Sequence, residues 1–342
     1  EYRLFTDDVC LYPARDLLFY YADIKGKVLT DQRMQVLRAL IEKKEGESVT
    51  VITTMDAFLD GLPHPGEIRG ARICAAGGDT IDLTEFEARL ASMGYERESQ
   101  IEGPGQFAVR GGIVDVFPLT EELPVRIELW GDEIDSIRSF DVESQRSVEN
   151  LSEVTIYPAS ENWADGLETV SFLEYFPKEK SLLFLDEPQR LQEMAEEVEQ
   201  EYFHSRESRA EAGMEETQEE RLRGFQTKDI IGRMNGYSGI GTTTLESRCG
   251  MFRVRKVYSI QAKGVNPYNN SFELLTRDLK RLKREGYRVV LLSASRTRAK
   301  RLAEDLRDYD LSSFYSDDME RTVKPGEIMV SCGYAAEGYG YP

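Results

Sequence analysis

If this chain performs chemistry, the first place to look is a strand that ends in acids. Residues 182–188 (LLFLDEP) are an apolar run closing on Asp186 and Glu187, an arrangement that can hold Mg²⁺ and a water beside a nucleotide. A nucleotide site also needs a loop of the form GxxxxGK[ST], whose lysine reaches the phosphates. The nearest candidate, residues 236–244 (GYSGIGTTT), has no Lys after its last glycine and follows the acidic strand instead of preceding it. It reads as a turn, and Asp186 and Glu187 read as acids at a helix start, where carboxylates are favoured. Residues 292–298 (LSASRTR) combine a strand end, a small-residue loop and a basic helix start, which can bind an anion. The simpler reading is a βα turn with Ser295 as N-cap, Leu302 and Leu306 packed inward, and Lys300 and Arg301 solvated. His64, between two prolines, and His204, in an acidic helical run, have no nucleophile or metal partner in view. Cys10, Cys74, Cys249 and Cys332 are scattered without CxxC spacing, which argues against zinc and disulfides and for reduced cytosolic thiols. No catalytic residue, metal ligand or cofactor site is assigned to the chain.

Recognition chemistry is better represented. Residues 107–117 (FAVRGGIVDVF) read as one strand with a bulge at Gly111-Gly112, residues 118–124 as a turn, and residues 125–130 (VRIELW) as a second strand. In the second strand Val125, Ile127 and Leu129 point one way, and Arg126, Glu128 and Trp130 the other. The apolar trio already supplies a core face, so an outward Trp beside an outward Arg is the informative feature; both types anchor protein interfaces. Counting outward from the turn places Asp115 opposite Arg126 and Arg110 near Gly131. A cross-strand Asp115–Arg126 pair is the plain structural role, worth a few tenths of a kcal/mol to about 1 kcal/mol.

This same stretch carries a family resemblance. GQFAVRGGIVDVFP, followed by ELPVRIELWGDEIDSIRSFDVESQRS, resembles the domain shared by the repair protein UvrB and the bacterial transcription-repair coupling factors (Mfd), the latter more closely. The likeness runs on through Tyr157-Pro158-Ala159 and, more loosely, over nearly the whole chain. It implies that this domain docks on UvrA, with Arg110, Arg126 and Trp130 at the positions of the docking residues; Phe also occurs in that family at the position of Trp130. It also implies a UvrB-like amino-terminal module whose ATPase motifs are lost, in a protein that acts as an ATP-dependent DNA translocase on stalled RNA polymerase. ATP, Mg²⁺, RNA polymerase and DNA would be bound by regions outside this chain.

Composition fits that picture. The chain has 342 residues, 40% hydrophobic and 31% charged, and a formal net charge of −19. Such a charge argues against a chain whose main task is gripping nucleic acid, which needs a clustered basic surface. No apolar run of about 18 residues spans a membrane. The opening, EYRLFTDDV, is not a signal peptide, and with the end at Tyr341-Pro342 it suggests an excised fragment.

The elements that must position these residues divide into four segments. Residues 1–69 read as the first part of an α/β domain: a helix over 31–42, a strand over 48–53, and a helix from 54 to 59 ended by Gly61 and Pro63. Residues 70–157 read as an inserted α+β domain with a helix over 83–93, the central strands, and further strands over 134–141 and 154–157. Residues 158–268 return to α/β, with a buried strand over 181–185, a glutamate-rich run over 190–223 read as a solvated helix or hairpin arm with a disordered patch near Ala212-Gly213, a strand over 253–259 and a linker over 264–270. Residues 269–342 form a small α/β domain: an amphipathic helix over 271–285 with Phe272, Leu274, Leu275, Leu279 and Leu282 as its stripe, a buried strand over 289–292, a helix over 296–307 and a strand over 327–331.

The fold class expected is therefore α/β multidomain: a split, degenerate P-loop-NTPase-like (UvrB domain 1-like) domain, an inserted α+β domain and a small third domain. The expected function is recruitment of excision repair through UvrA by a monomeric, bacterial cytoplasmic chain with no ATPase activity of its own. The alternative is a UvrB-type ATPase and damage-binding protein. A purely architectural module is a third reading, requiring Arg110, Arg126 and Trp130 to be buried. On the docking reading, replacing Arg126 or Trp130 by Ala costs about 2 kcal/mol or more of UvrA binding and leaves folding nearly unchanged.

Overall fold

The structure is a computed structural model that describes residues 8–15, 23–160, 168–213, 224–245, 250–265, 268, 271–335 and 338–341. The chain is mixed α/β with several small sheets, and its described residues fall into two compact units, 10–253 and 254–342 with 8–9.

The larger unit opens with β1 (Val9–Tyr12), α1 (Asp23–Glu42) and β2 (Thr50–Thr53), with β1 beside β2. The α1 periodicity works as read: Met34, Val36, Leu37 and Ile41 are buried. The helix expected over 54–59 shrinks to a 3₁₀ turn, Asp56–Phe58. The next residues are drawn into a strand, β3 (Gly61–Pro63), which pairs antiparallel with β12 (Thr169–Ser171). His64 then caps α2 (Pro65–Ala71) by accepting from the Gly66 N–H, with Pro65 in the first turn where a missing N–H costs nothing. One core joins Tyr12, Met34, Leu37, Phe58 and Leu62 to Tyr157, Phe172, Ile230 and Met234, so segments far apart in sequence share it.

Between them, β4 (Ile73–Ala76) leads into α3 (Leu83–Ser92) and a six-stranded sheet. Asp82 caps α3 at the Glu85 N–H, and Phe86 and Leu90 face inward. The sheet strands are β5 (Glu96–Arg97), β6 (Gln106–Arg110), β7 (Ile113–Val116), β8 (Val125–Trp130), β9 (Glu133–Phe140) and β10 (Ser147–Leu151), side by side in chain order. The exit strand β11 (Glu153–Ile156) pairs antiparallel with β4, Ile156 opposite Ile73. A second core, including Phe86, Leu90, Phe107, Val114, Val116, Val125, Ile127 and Ile137, fills the space under one face of the sheet. The turn between β7 and β8 reaches α1: Arg38 donates to the Thr120 carbonyl and pairs with Glu121 at 2.7 Å. Tyr157 donates to Glu42 at 2.8 Å, and Tyr95 donates to the Tyr157 carbonyl at 2.7 Å.

Beyond β12 the strand expected over 181–185 exists as β13 (Leu182–Asp186), but it is not buried on both faces: Leu182 and Phe184 are exposed. Its partner is the segment read as a turn. Residues 238–242 form β14 (Ser238–Thr242), parallel to β13, because the glycines at 239 and 241 let its backbone lie close against Leu183 and Pro188. The glutamate-rich run forms α4 (Pro188–Glu211), capped at Ala212 and followed by Gly213 at φ +70°; residues 214–223 of that run lie outside the described residues. α5 (Thr227–Met234) lies between α4 and β14 in sequence.

In the smaller unit the expected strand over 253–259 does not form. That segment alternates Arg, Val and Lys, yet no strand pairs with it among the described residues, and Val254, Val257 and Tyr258 stay exposed. β15 (Lys263–Gly264), which overlaps the expected linker only at Gly264, pairs with β19 (Tyr339–Gly340). α6 (Phe272–Arg284), β16 (Val289–Ser293), α7 (Arg296–Arg307), β17 (Ser313–Tyr315) and β18 (Ile328–Cys332) make a three-stranded parallel sheet, order β16-β18-β17, with Leu279, Ala303, Leu306, Ile328 and Val330 in its core. Two expected burials fail: Leu274 of α6 and Val290 of β16 are exposed. Ser295 stands at the N-cap of α7 without a capping side-chain bond. No helix among the described residues is long and apolar enough to cross a membrane.

Candidate functional site

The glycine pair decides where the candidate residues sit. Gly111-Gly112 is not a bulge inside a strand but a two-residue turn joining β6 to β7, with Arg110 opposite Ile113. Gly111 has φ +62° and Gly112 does not share the positive φ, the pattern of a hairpin turn with glycine first. At Gly112 a Cβ would sit 3.0 Å from the Leu129 carbonyl oxygen, a contact that only a small shift of the β8 backbone would relieve. Arg110 is therefore one strand further from β8 than the bulge reading placed it, and not beside Gly131.

The rest of the register holds. Asp115 lies opposite Arg126, and Val125 and Ile127 point into the core. At the other end of β8 a second tight turn, Gly131-Asp132, leads into β9, with Trp130 opposite Glu133 and Gly131 at φ +66°. An extra residue on β9, Asp135, shifts the register between Glu128 and Leu129. The β6–β7 and β8–β9 turns lie at the same end of the sheet, and the Leu129 N–H donates to the Gly112 carbonyl between them.

On the face away from the second core, the Asp115 carboxylate is 2% exposed and bridges two arginines. Arg126 donates from Nε to Oδ1 at 2.7 Å and from Nη2 to Oδ2 at 2.9 Å. Arg110 donates from Nη2 to Oδ2 at 2.7 Å. Arg126 Nη2 also donates to the Gln145 side chain at 3.0 Å, and its guanidinium stands 4.4 Å above the centre of the Phe140 ring. Gln145 holds a left-handed φ of +57° and donates to the Val142 carbonyl. The hydrogen bonds to Asp115 raise the Arg126 pKa further above the ordinary arginine value. Beside this group Arg138 pairs with Glu128, which also accepts from Ser136.

The three candidate residues thus differ. Trp130 is 85% exposed, projecting from the hairpin end. The Arg110 side chain is 46% exposed, with one hydrogen bond. The Arg126 side chain is only 14% exposed and is committed to Asp115 and Gln145. The expectation that Arg126 stands on an open face, replaceable without effect on folding, is corrected: a bidentate bond to a buried carboxylate makes it part of the sheet's own structure. The Arg110–Asp115 contact was missed. Reading the glycine pair as a two-residue turn would have placed residues 110 and 115 diagonally on one face.

The face has the make-up of a docking surface, with a projecting indole, a guanidinium with donors to spare, and a rigid polar base. Residues 74–162 match the family model of the UvrB interaction domain, which takes in all of these residues. Over nearly its whole length the chain is similar to transcription-repair-coupling factors. It is 25% identical to the transcription-repair-coupling factor of Bacillus subtilis (strain 168) and 25% identical to that of Staphylococcus aureus (strain Mu50), in each case over 98% of this chain and 33% of the relative. The chain spans about a third of the length of the curated relatives it matches. The sheet face is formed wholly by residues of the matched stretch.

The other motifs carry less. Thr242 donates to Asp186 at 3.0 Å, and the Thr244 N–H donates to Glu187 at 2.7 Å, so both acids of the strand end are engaged by the β14 segment. The bonds from Thr244 hold the Glu187 carboxyl below its usual range. Leu306 is buried and Leu302 packs beside it, as read, while Lys300 lies 5.2 Å from the Tyr315 ring. Cys74 and Cys332 are free thiols; Cys249 lies outside the described residues. Among the described residues no group of three His, Cys, Asp or Glu side chains is placed to hold a metal.

Proposed function

We propose that this chain is the UvrB-like amino-terminal module of a bacterial transcription-repair coupling factor and that it recruits excision repair by binding UvrA. The observation that carries the reading is Trp130, exposed at the end of β8 while Phe107, Phe117 and Phe140 of the same sheet region are buried. An exposed indole costs solubility and contributes nothing to this sheet's core, so a partner is its natural cover. Arg110 stands on the same face with unused donors, which suits a carboxylate on UvrA. Arg126 belongs to the same site as its base.

On this reading the host core drawn from residues 12–68 and 157–234 is a split, degenerate P-loop-NTPase-like domain (segments 1–69 and 158–268). Residues 70–157 are the inserted UvrA-binding domain and 269–342 a small third domain. The chain itself has no ATPase activity and no cofactor. ATP, Mg²⁺, DNA and RNA polymerase belong to the remainder of the intact translocase, and the chain works as a monomer in the bacterial cytoplasm. Binding of purified UvrA to the immobilised chain, measured beside Trp130→Ala and Arg110→Ala, tests the reading. Capture by the parent and loss in both variants with unchanged melting temperatures is expected. Equal capture by all three overturns it.

A further inference from the structure

We infer that Asp115 is a positioning residue for this face: it holds the Arg110 guanidinium in place on the face that carries the indole, with Arg126 as the internal counter-charge to a buried carboxylate. The inference rests on the UvrA-binding reading for its functional meaning, but its structural content stands on hydrogen-bond accounting.

An ionised carboxylate offers about four lone-pair sites and an arginine five N–H donors. Asp115 has three of its sites filled, two by Arg126 and one by Arg110. Arg126 spends Nε and Nη2 inward, the latter twice, and lies mostly covered between Phe140 and Gln145. Arg110 spends one donor of five and has nearly half its side chain in solvent. The two arginines are therefore not equivalent. Arg126 ties β8 to β7 and to the loop carrying Gln145. Arg110 is the one that can reach a partner.

Arg110 needs an anchor. It is the last residue of β6, next to a glycine turn, on a side chain with four rotatable torsions, and among the described residues its guanidinium hydrogen-bonds Asp115 alone. Untethered, it would have to be ordered at the moment of binding, at a cost that can reach about ten-fold in affinity for one long side chain. The buried carboxylate removes most of that cost beforehand. Asp115 touches no partner itself, because its carboxylate is almost wholly covered.

The test is a double-mutant cycle on the full chain, with Asp115→Asn and Arg110→Ala singly and together, reading UvrA affinity and melting temperature. Asp115→Asn is expected to weaken UvrA binding about ten-fold in the parent background and less than about two-fold when Arg110 is already Ala, since coupled residues are non-additive. Equal losses in both backgrounds would overturn the inference. A second variant, Asp115→Leu with Arg126→Met, guards against misfolding, because apolar replacement of a whole buried pair is often tolerated; it should lose affinity in the same Arg110-dependent way. A readout free of UvrA separates this inference from the function it rests on. Arginine side-chain ¹⁵N NMR, with the Arg110 signal assigned by its loss in Arg110→Ala, should show that guanidinium ordered in the parent and mobile in Asp115→Asn. Unchanged order in Asp115→Asn refutes positioning, whereas a parent that is ordered but does not bind UvrA refutes only the proposed function.

Discussion

Replacing Arg126 with Ala should destabilise the chain, and the size of the effect can be worked from the site. The change removes two of the three N–H donors to Asp115, a carboxylate that is 2% exposed. Breaking a buried, hydrogen-bonded pair by deleting one partner costs about 3–5 kcal/mol. Arg110 remains, and Arg126 is itself slightly open to water, so about 2–3 kcal/mol is the expected loss. For a body of this size each kcal/mol moves the melting temperature by roughly 2–4 °C, giving a fall of about 4–12 °C. Arg110→Ala removes a single bond from a side chain nearly half exposed and should stay within about 1 kcal/mol. Urea unfolding followed by circular dichroism measures both, and the Arg126→Ala midpoint should fall with little change in slope. If Arg126→Ala unfolds within about 0.5 kcal/mol of the parent, or Arg110→Ala loses as much as Arg126→Ala, the account of Asp115 as a buried carboxylate held by Arg126 fails.

Trp130→Ala should leave stability within about 0.5 kcal/mol, since the ring contacts mainly solvent, yet cost about 2 kcal/mol of UvrA affinity, roughly 30-fold by titration calorimetry; a melting temperature that falls while affinity holds would make the indole structural. ATP with Mg²⁺ should not raise the melting temperature, whereas a ligand at one hundred times its Kd would stabilise by about 2.7 kcal/mol; a clear nucleotide-dependent rise would favour the UvrB-type ATPase instead. Duplex DNA binding should be weak at physiological salt, and fluorescence anisotropy reporting affinities near 10⁻⁸ M would contradict the recruitment reading. Burial, and then the hydrogen bond to Asp278, pushes the Tyr268 hydroxyl up to about 12. The folded state thus favours the protonated phenol, a contribution present below pH 10 and lost as pH rises from 10 towards 12. Absorbance titration at high pH of the parent against Tyr268→Phe should show the late step missing in the variant; a difference centred near pH 10 would contradict it.

How far the sequence disclosed this arrangement depended on whether the deciding interaction was local. The α1 face with Met34, Leu37 and Ile41, the α7 span and the alternation along β8 follow from period and were legible. So was the Asp115–Arg126 register, because it needs only the turn between residues 117 and 125. The glycine pair at 111–112 was ambiguous: a bulge and a two-residue turn draw on the same residues, and the choice moved Arg110 by a whole strand. β14 was hidden because its sequence, SGIGT, lacks strand formers and is held by pairing with β13 across more than fifty residues of chain. The failed strand over 253–259 is the converse case, where suitable residues find no neighbour among the described elements. Exposure of Trp130 followed from pattern, while the covering of Arg126 by Phe140 and Gln145 is a tertiary contact that alternation cannot report.

The stem formed by β4 and β11 has a consequence for inheritance. Entry at Ile73 and exit at Ile156 are neighbours on one ladder, about 5 Å apart, so the whole sheet hangs from the host by what amounts to a single surface loop. Such a cassette can be grafted into a different host at any one loop and keep its fold. Its bearing is another matter. Arg38 gripping Thr120 and Glu121, and Tyr157 gripping Glu42, form a second mooring on α1 that a new host would not supply. A transplanted cassette would carry the indole and its guanidinium intact but point them in a direction set by its new neighbours. On the recruitment reading, what α1 adds is therefore aim.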